Sequence, residues 1–336
     1  MSAANILRRC TETYLRQGSR IWRHLPNAIR SNPVGLVYGR HLHALVERYA
    51  ARQQYFGTFF LRNRAELELM CRLAGRKLHG AELKLTVLAC SKGAEVYSMV
   101  WALRSAWPDL RLRVHAVDIS PEIVAFAEEG IYVRINSRPA KADNDGPDGL
   151  DATAWNTGRD QNASIFERMA AHEMEAMFEA EGDYVKVRPW LRQGIEWHCA
   201  DATDSSLGRL LGPQDMVVAN RFLCHMEPWV AERSLRSIAH LVRPGGYLFV
   251  SGIDLDIREK IAESMGWGPV TTLLREVHEG DTSLRRGWPL EYWGLEPFRQ
   301  DRPLRYASVF QVCGRPELVS AMKPRNEERF RAKVRH

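Results

Sequence analysis

The sequence predicts an α/β protein with a doubly wound, mostly parallel β-sheet, and two observations support this fold class. First, short apolar runs of strand length alternate along the chain with longer stretches whose apolar residues recur at helical spacing. Second, residues 83–97 have the pattern of a strand, a tight loop and a helix. The apolar run 85–90 enters the polar turn 91–93 and continues with helical periodicity. In an open parallel sheet such a loop lies at the carboxyl edge, where ligands bind.

The other elements are expected in the following order. Residues 1–80 predict an α-helical N-terminal region, and residues 81–336 predict the ligand-binding domain. Within them, helices are expected at 3–24, 38–80, 165–179 and 227–242, and strands at 112–118, 195–201, 216–220, 247–251 and 306–312, with an edge strand at 184–187 and a glycine turn at 245–246. Residues 134–190 form an insert whose breaker-rich part, 136–162, predicts a long loop or lid, and residues 253–305 predict a substrate-side cap.

The composition argues against several classes of protein. The chain has 336 residues, 45% hydrophobic and 26% charged, which is enough to bury the core of one large domain. Its net charge of +6 lacks the dense basic run of a nucleic-acid binder. No apolar run reaches the ~18 residues of a membrane span and no signal peptide opens the sequence, so a cytoplasmic protein is expected. The six cysteines show no Cys-x-x-Cys pair and predict reduced core residues.

The loop after the first strand carries a single glycine, Gly93, so the three-glycine dinucleotide fingerprint is missing and a different cofactor is expected. The next apolar strand ends at Asp118, and 118 − 93 places it 25 residues past that glycine. A carboxylate at this spacing suits the two hydroxyls of a ribose. The alternative is that Asp118 caps the helix beginning at Pro121, and the two roles are compatible.

Residues 89–98 (Ala-Cys-Ser-Lys-Gly-Ala-Glu-Val-Tyr-Ser) and 117–120 (Val-Asp-Ile-Ser) resemble the class I S-adenosylmethionine-dependent methyltransferases. The closest resemblance is to the CheR group of protein-glutamate methyltransferases. Further segments that match in order are residues 57–60, 129–132, 220–226 and 243–249, and the resemblance extends over about residues 45–252. It implies a Rossmann-like class I methyltransferase fold, S-adenosylmethionine as the cofactor, and a bacterial enzyme.

The resemblance also implies how the cofactor is held. Glu95 is the candidate partner of its ammonium group, and Asp118 the candidate for its ribose. Asp201 accepts from the adenine amino group, and Ala202 offers a backbone N–H to a ring nitrogen, because adenine presents both kinds of partner. The full set of cofactor candidates is Ser91, Gly93, Glu95, Asp118, Ile119, Asp201, Ala202 and Asn220.

The acceptor side departs from the family pattern at its arginine. In the resembled family a Thr-Phe-Phe-Arg segment supplies an arginine to the substrate carboxylate. Here Leu61 stands in that place and Arg62 follows it. On a helix this shift rotates the side chain by about 100°, so the role of Arg62 is open between substrate binding and a solvated surface position.

A second departure lies after the fourth strand. Asn220-Arg221 and His225-Met226 stand where the family has Arg-Asn and Tyr-Phe. Histidine can accept a proton at neutral pH and tyrosine cannot, so His225 is the candidate base and Arg221 or Arg62 the candidate for an anionic group. A packed, structural histidine at 225 is the alternative.

These departures predict methyl transfer to a hydroxyl, amine or carboxyl of a small molecule rather than to a protein. The alternatives are a CheR-type protein-glutamate methyltransferase and an inactive cofactor-binding regulator. Neither nucleic acid nor membrane is an expected partner, a homodimer is conceivable, and the aromatic segment 278–297 is expected to cover the active site with Trp288, Tyr292 and Trp293 or to form a subunit contact. No metal site is expected, because His278, Glu279 and Asp281 lack helical ligand spacing.

Overall fold

The structure is a computed structural model that describes residues 58–76, 82–133, 165–280 and 298–312, together with most of residues 13–49. The expected lid at 136–162 and the aromatic residues Trp288, Tyr292 and Trp293 lie outside the described residues, as does much of the first expected helix.

Seven strands form the main sheet, in the order β6-β2-β1-β7-β8-β10-β9. The strands are β1 Glu82–Leu88, β2 Arg111–Asp118, β6 Ile195–Cys199, β7 Gln214–Val218, β8 Val242–Phe249, β9 Gly268–Pro269 and β10 Val309–Gln311. The pairs from β6 through β8 are parallel, and β10 pairs antiparallel with both β8 and β9. This sheet confirms the predicted α/β fold class with a mostly parallel sheet.

Both faces of the sheet are buried. Alternate residues of the central strands enter two separate cores, for example Val87 and Val114 on one face and Leu88 and Val117 on the other. This arrangement explains why the strands are near-continuous apolar runs. The helices of the described part are α1 Asn27–Arg30, α2 Pro33–Tyr49, α3 Arg64–Ala74, α4 Ala94–Ala106, α5 Pro121–Glu129, α6 Ala171–Met177, α7 Pro189–Arg192, α8 Leu207–Leu211, α9 Pro228–Ala239, α10 Leu255–Ser264, α11 Leu274–Glu279 and α12 Pro303–Tyr306.

The continuous helix expected over residues 38–80 was wrong. Helix α2 lies before residue 50 and α3 begins at Arg64, and residues 58–63 between them are a turn. Asn63 ends this turn as the N-cap of α3, where its side-chain oxygen accepts the backbone N–H of Glu66 at 3.2 Å. The prediction failed because the apolar residues before Asn63 extended the helical pattern, although an N-cap asparagine is the usual sign of a helix start.

A second departure is a small antiparallel sheet of three strands in the order β3-β5-β4. Its strands are β3 Ile131–Val133, β4 Phe178–Glu181 and β5 Tyr184–Val187. The segment 184–187 is therefore its central strand and not an edge strand of the main sheet, and the helix expected to reach residue 179 ends at Met177. Gly182 and Asp183 form the two-residue loop between β4 and β5, and Gly182 has a φ of 62°. A Gly-Asp pair of this kind is typical of a tight hairpin.

The glycines at 245 and 246 do not form a turn either. Both lie inside β8, which begins directly after α9 at Val242, and the register with β7 shifts between Gln214 and Met216. Gly245 has a φ of 77°, so the two glycines form an irregularity within a strand, whereas the sequence predicted a turn before the strand.

The apolar stripe expected at 165–179 packs in the core, as the structural interpretation of its spacing predicts. Phe166 and Phe178 belong to an aromatic cluster with Phe60 and Tyr132 whose ring centroids lie 5.0–6.1 Å apart. This cluster joins the turn at 58–63 to the small sheet. No helix in the described part of the chain is both long and apolar enough to cross a lipid bilayer.

Two histidines pack together on neighbouring strands of the main sheet. His115 of β2 is 4% exposed, and its Nδ1 lies 3.0 Å from Nε2 of His198 of β6. Burial is the main cause that lowers the pKa of both imidazoles, so both rings are neutral at pH 7.

One ion pair between an exposed arginine and a buried glutamate predicts a pH-dependent stability. Arg64 donates to both carboxylate oxygens of Glu173, at 2.5 and 2.7 Å, and this hydrogen bonding lowers the pKa of Glu173, which is 3% exposed. Because the folded-state pKa lies below the unfolded value of about 4.3, the stabilisation is present above that pH and is lost as the pH falls through the folded-state value. We expect Glu173→Gln to lower the free energy of unfolding by about 1–2 kcal/mol at pH 7 in urea titrations, and by progressively less below pH ~4.

Glu68→Gln is the matched control. Glu68 pairs with Arg72 on the same helix, but both side chains are 54% exposed, so an effect of no more than about 0.5 kcal/mol is expected. Equal effects of the two substitutions at every pH would contradict a specific contribution of Glu173.

Candidate functional site

The candidate site lies at the carboxyl edge of β1, where the strand order reverses between β1 and its neighbours β2 and β7. The loop after β1 adopts an unusual backbone. Ala89, Ser91 and Gly93 all have positive φ, of 50°, 49° and 82°. Alternating conformations of this kind turn backbone N–H groups toward a crevice, and strained residues tend to concentrate at functional sites.

Gly93 is needed at the end of this loop for two reasons. Its φ is unfavourable for other residues, and an added Cβ would lie 3.1 Å from Cβ of Ala127 and 3.2 Å from the ring of Trp197. The neighbouring Cys90 is fully buried, and burial raises the pKa of its thiol far above the usual range. Cys90 is therefore a packing residue and not a nucleophile.

Asp118 holds the loop in place from the end of β2. Its carboxylate accepts the backbone N–H groups of Ser91 at 2.9 Å and of Ser120 at 3.2 Å, and the residue is 4% exposed. The N-cap of helix α5 is Ser120, whose hydroxyl accepts from Ile123 N at 3.3 Å. The capping function thus falls to Ser120, and Asp118 places a carboxylate beside the crevice.

The remaining candidates for binding the adenosine part of the cofactor lie close to the end of β2. Ile119 is 54% exposed although it follows a buried strand, so an apolar side chain is available to pack against a flat ring. Ala200 donates its N–H to the Asp118 carbonyl at 2.9 Å, which ties the loop carrying Asp201 and Ala202 to the end of β2. Asp201 Oδ1 accepts both the N–H and the hydroxyl of Thr203 at 2.8 Å, which orients its exposed carboxylate.

Asn220 is the most connected residue of the site. Its amide nitrogen donates to Oε1 of Glu66 and to Oε1 of Glu95, both at 2.8 Å. Its amide oxygen accepts from the N–H and the hydroxyl of Ser251, at 3.0 and 2.8 Å. Both donors and both acceptor positions of the amide are thereby used, and two carboxylates converge on one buried side chain. This network joins α3, α4 and the ends of β7 and β8.

A small cleft opens beside this network. Four predicted site residues line it together, two cationic and two that belong to the Asn220 network. The lining residues are Arg62, Asn63, Glu66, Glu95, Asn220, Arg221, Ser251, Val277 and Ser308. The cleft therefore places guanidinium groups next to carboxylates in a confined space.

The structure shows where the shifted arginine lies. Leu61 has a φ of 53°, is 1% exposed and donates its N–H to the Ser98 hydroxyl at 2.9 Å. Because Leu61 turns into the core in this left-handed conformation, Arg62 is the residue that reaches the cleft, and its guanidinium lies 5.5 Å from the ring centroid of Phe59. The expected helical rotation does not apply, since residues 58–63 are not helical.

Arg221 is held at the opposite side of the cleft by its backbone. It has a φ of 63° and donates its N–H to the Ser251 carbonyl at 2.9 Å. Gly252 lies directly against it, and a Cβ at that glycine would be 2.7 Å from Cα of Arg221. The left-handed backbone of Leu61 and that of Arg221 thus place Arg62 and Arg221 in the lining of the same cleft.

His225 occupies a different position. It ends a short 3₁₀ helix, Leu223–His225, is half-buried, and donates its N–H to the Phe222 carbonyl at 3.0 Å. It is not among the residues that line the cleft. Its role as a base stays a prediction.

Two residues of the Asn220 hydrogen-bond network were not found by sequence reasoning. Ser251 follows the buried strand β8, and a polar residue at the end of a parallel strand was the available signal. Glu66 lies three residues after the N-cap Asn63, a spacing typical of a capping box, but its carboxylate contacts Asn220 instead.

Comparison with known proteins agrees with this geometry. The family model "CheR methyltransferase, SAM binding domain" matches residues 57–139. A relative from Pseudomonas aeruginosa, the "Probable biofilm formation methyltransferase WspC", is 23% identical over 273 residues, which cover 80% of this chain and 56% of the relative. An uncharacterized 104.1 kDa protein of Rhodobacter capsulatus is 23% identical over 180 residues, 52% of this chain and 15% of that protein. The chain therefore spans little more than half of one relative and a small part of the other.

Two of the solved structures that the comparison returned are named as methyltransferases. A putative class I S-adenosylmethionine-dependent methyltransferase from Listeria monocytogenes is 10% identical, with coverage of 90% of this chain and 74% of that chain and a TM-score of 0.37. The magnesium protoporphyrin IX methyltransferase of Synechocystis PCC 6803, solved with bound cofactor, is 15% identical, with coverage of 62% and 71% and a TM-score of 0.32.

The strand order of the main sheet and the crevice at its switch point are those of a doubly wound, Rossmann-like fold, in agreement with the expected class I methyltransferase fold. The family model makes the assignment more specific. Residues 57–139 match the S-adenosylmethionine-binding domain of the CheR methyltransferases, so the chain is similar to these enzymes and S-adenosylmethionine is the cofactor that this match indicates.

Proposed function

We propose that this enzyme transfers the methyl group of S-adenosylmethionine to the side-chain carboxylate of a protein glutamate. The observation that carries the proposal is the pair of arginines, Arg62 and Arg221, that lines the same cleft as Glu95 and Asn220. Two guanidinium groups beside a cofactor site favour an anionic acceptor, because planar, charged donors match a carboxylate.

The residues around the crevice have the chemistry that the cofactor requires, which supports the proposal. We assign Glu95 to its ammonium group, Asp118 to its ribose, and Ile119 with Asp201 to its adenine. Glu95 is only partly buried and already orients toward Asn220 at 2.8 Å, so its second oxygen is available for a cationic ligand. The bound cofactor supplies an electrophilic methyl group on a sulfonium.

The reaction needs little chemistry from the protein. A carboxylate oxygen attacks the methyl carbon, the carbon–sulfur bond breaks, and the products are a methyl ester and S-adenosylhomocysteine. A glutamate with a pKa near 4.3 is already ionised at neutral pH, so no base is required and alignment is the main contribution of the enzyme. This agrees with the position of His225, which does not line the cleft.

The small-molecule acceptor favoured by the sequence is the weaker alternative. The prediction of a small-molecule acceptor depended on two features, the displaced arginine and a base at position 225. In the structure Arg62 lines the cleft and His225 does not. The CheR family match and the methyltransferase from Pseudomonas aeruginosa also support the protein-directed reaction. Neither finding supports the expected homodimer.

Transfer of a labelled methyl group tests the proposal. The enzyme is incubated with methyl-labelled cofactor and an extract of its host, and protein is then separated from small molecules. We expect label in the protein fraction. Label confined to the small-molecule fraction, in a product other than the cofactor and its breakdown products, would instead support the small-molecule alternative.

Loss of Arg62 should weaken catalysis without weakening cofactor binding. We expect Arg62→Ala to lower kcat/KM for the protein acceptor by about 10- to 100-fold, since a hydrogen bond to a charged group contributes about 1.5–3 kcal/mol. Affinity for S-adenosylhomocysteine, measured by calorimetry, should change little.

Arg72→Ala is the matched control for charge. Arg72 lies on the adjacent helix, is 54% exposed and pairs with Glu68, so its loss should leave kcat/KM unchanged. If Arg62→Ala also left kcat/KM unchanged, the assignment of Arg62 to the acceptor carboxylate would be wrong.

A further inference from the structure

Outside the cleft, one group of three side chains in the described part of the chain has the composition of a metal site. It consists of His115 on β2 with Glu196 and His198 on β6. Each offers one ligand atom, and the three atoms all lie within 4.8 Å of one another. The sequence carried a signal that was overlooked, because Glu196 and His198 are two residues apart on a strand and therefore share a face.

We propose that His115, Glu196 and His198 bind one divalent transition-metal ion of the zinc type. Nδ1 of His115 lies 3.0 Å from Nε2 of His198 and 3.5 Å from Oε2 of Glu196. Ligands about 2.0–2.1 Å from a tetrahedral zinc ion are separated from each other by about 3.3 Å. These two separations lie on either side of that value, and all three ligand atoms lie within 4.8 Å of one another, so small side-chain rotations can bring them to one ion.

The strand register supports the arrangement of these ligands. His115 and Glu196 are direct partners across the β2–β6 ladder, and His198 pairs with Val117 two residues further along. Two ligands of the same edge strand are thus held by backbone hydrogen bonds before any ion binds. Pre-organisation of this kind lowers the free-energy cost of assembling a site.

A neighbouring cation orients the carboxylate. Arg113 Nε donates to Oε1 of Glu196 at 2.9 Å, which leaves Oε2 on the side of His115. Carboxylates that ligate metals are commonly held in this way through their second oxygen. Thr86, the register partner of His115 on β1, is fully buried, and its hydroxyl has no hydrogen-bond partner among the described residues, so polar capacity remains on the buried side of the site.

The donor set limits which ion binds. Two imidazole nitrogens with one carboxylate suit zinc, nickel, cobalt or copper rather than magnesium or calcium, which prefer oxygen ligands. The Glu196 side chain is 45% exposed, so an ion can enter from solvent and retain a water as its fourth ligand. The ion would join the edge strand β6 to β2 at His115, three residues before Asp118.

Metal titration of the full chain tests the proposal. Untagged protein freed of metal by a chelator is titrated with Zn²⁺ in a calorimeter, and Co²⁺ is used as a spectroscopic substitute. We expect binding of Zn²⁺ with a rise in the melting temperature, and visible absorption bands with Co²⁺. His198→Gln and Glu196→Gln should each weaken binding by at least about tenfold and reduce the thermal shift.

His240→Gln is the matched control, since His240 is exposed at the end of α9 and outside the group. It should bind Zn²⁺ as the unmodified protein does. This control matters because the chain holds 11 histidines and six cysteines in all. Circular dichroism of each metal-free variant shows whether it is folded. Absence of Zn²⁺ binding by the unmodified protein, or unchanged binding by folded His198→Gln and Glu196→Gln, would overturn the proposal.

Discussion

Asn220→Asp is expected to lower the free energy of unfolding by about 3 kcal/mol or more near pH 8, although aspartate has the same shape as asparagine. The amide of Asn220 donates to Glu66 and to Glu95, both at 2.8 Å. A carboxylate cannot donate, so the substitution removes two charged hydrogen bonds and places a third negative charge between two others in a buried position. Methyl transfer should fall with it, because Glu95 loses the partner that orients it.

The pH dependence of this variant identifies the cause. As the pH falls, protonation of one of the three carboxyl groups relieves the repulsion, so the difference in stability from the unmodified protein should shrink. Asn32→Asp is the control, because the side-chain oxygen of Asn32 accepts the N–H of Gly35 at 2.7 Å and an aspartate can accept it equally well. Urea titrations at several pH values measure both. A urea unfolding curve of Asn220→Asp that matches that of the unmodified protein at pH 8 would refute the proposed network.

Asp118→Ala is expected to reduce the affinity for S-adenosylhomocysteine by about 100-fold or more. The substitution removes the carboxylate assigned to the ribose hydroxyls, and it also removes the acceptor that fixes Ser91 N–H at 2.9 Å in the loop after β1. Loss of charged hydrogen bonds of this kind costs about 1.5–3 kcal/mol each. Calorimetry with S-adenosylhomocysteine measures the change.

Asp204→Ala provides the comparison for this substitution. Asp204 is exposed on the loop after β6 and accepts from Ser206, at 2.8 Å, much as Asp118 accepts from its own loop. Its loss should leave cofactor affinity unchanged. Undiminished binding by a folded Asp118→Ala variant would exclude Asp118 from the cofactor site, and Asp118→Asn, which retains an acceptor, should show an intermediate effect.

The parallel part of the main sheet could be predicted because the residues that indicate each strand and loop are contiguous in the sequence. The apolar run of β1 and the polar loop with Gly93 are contiguous in the sequence, and a strand buried on both faces needs no partner to be recognised. The small sheet was missed because the Gly182-Asp183 hairpin lies next to a methionine-rich helical pattern. The break before α3 was missed because its sign, the Asn63 cap, follows an apolar stretch.

The candidate site divides in the same way. Three site residues stand at the ends of apolar strands: Asp118, Asp201 and Asn220. Their position at the carboxyl edge of the sheet could therefore be predicted from the sequence. The position of Glu66 in the site could not, because its contact with Asn220 joins residues 154 positions apart. The placement of Arg62 depends on the left-handed backbone of Leu61, which is stabilised by packing and by the Ser98 hydroxyl. Leucine rarely adopts this conformation, so the residue type does not predict it.

The chemical nature of the transferred group tests the central claim most directly. Protein labelled by the enzyme with methyl-labelled S-adenosylmethionine is treated with mild alkali, and volatile methanol is collected. A methyl ester hydrolyses under these conditions, whereas a methyl ether or a methylated amine does not. If the acceptor is a glutamate carboxylate, most of the label is released as methanol. Label that stays on the protein through alkaline treatment would contradict methylation of a carboxylate.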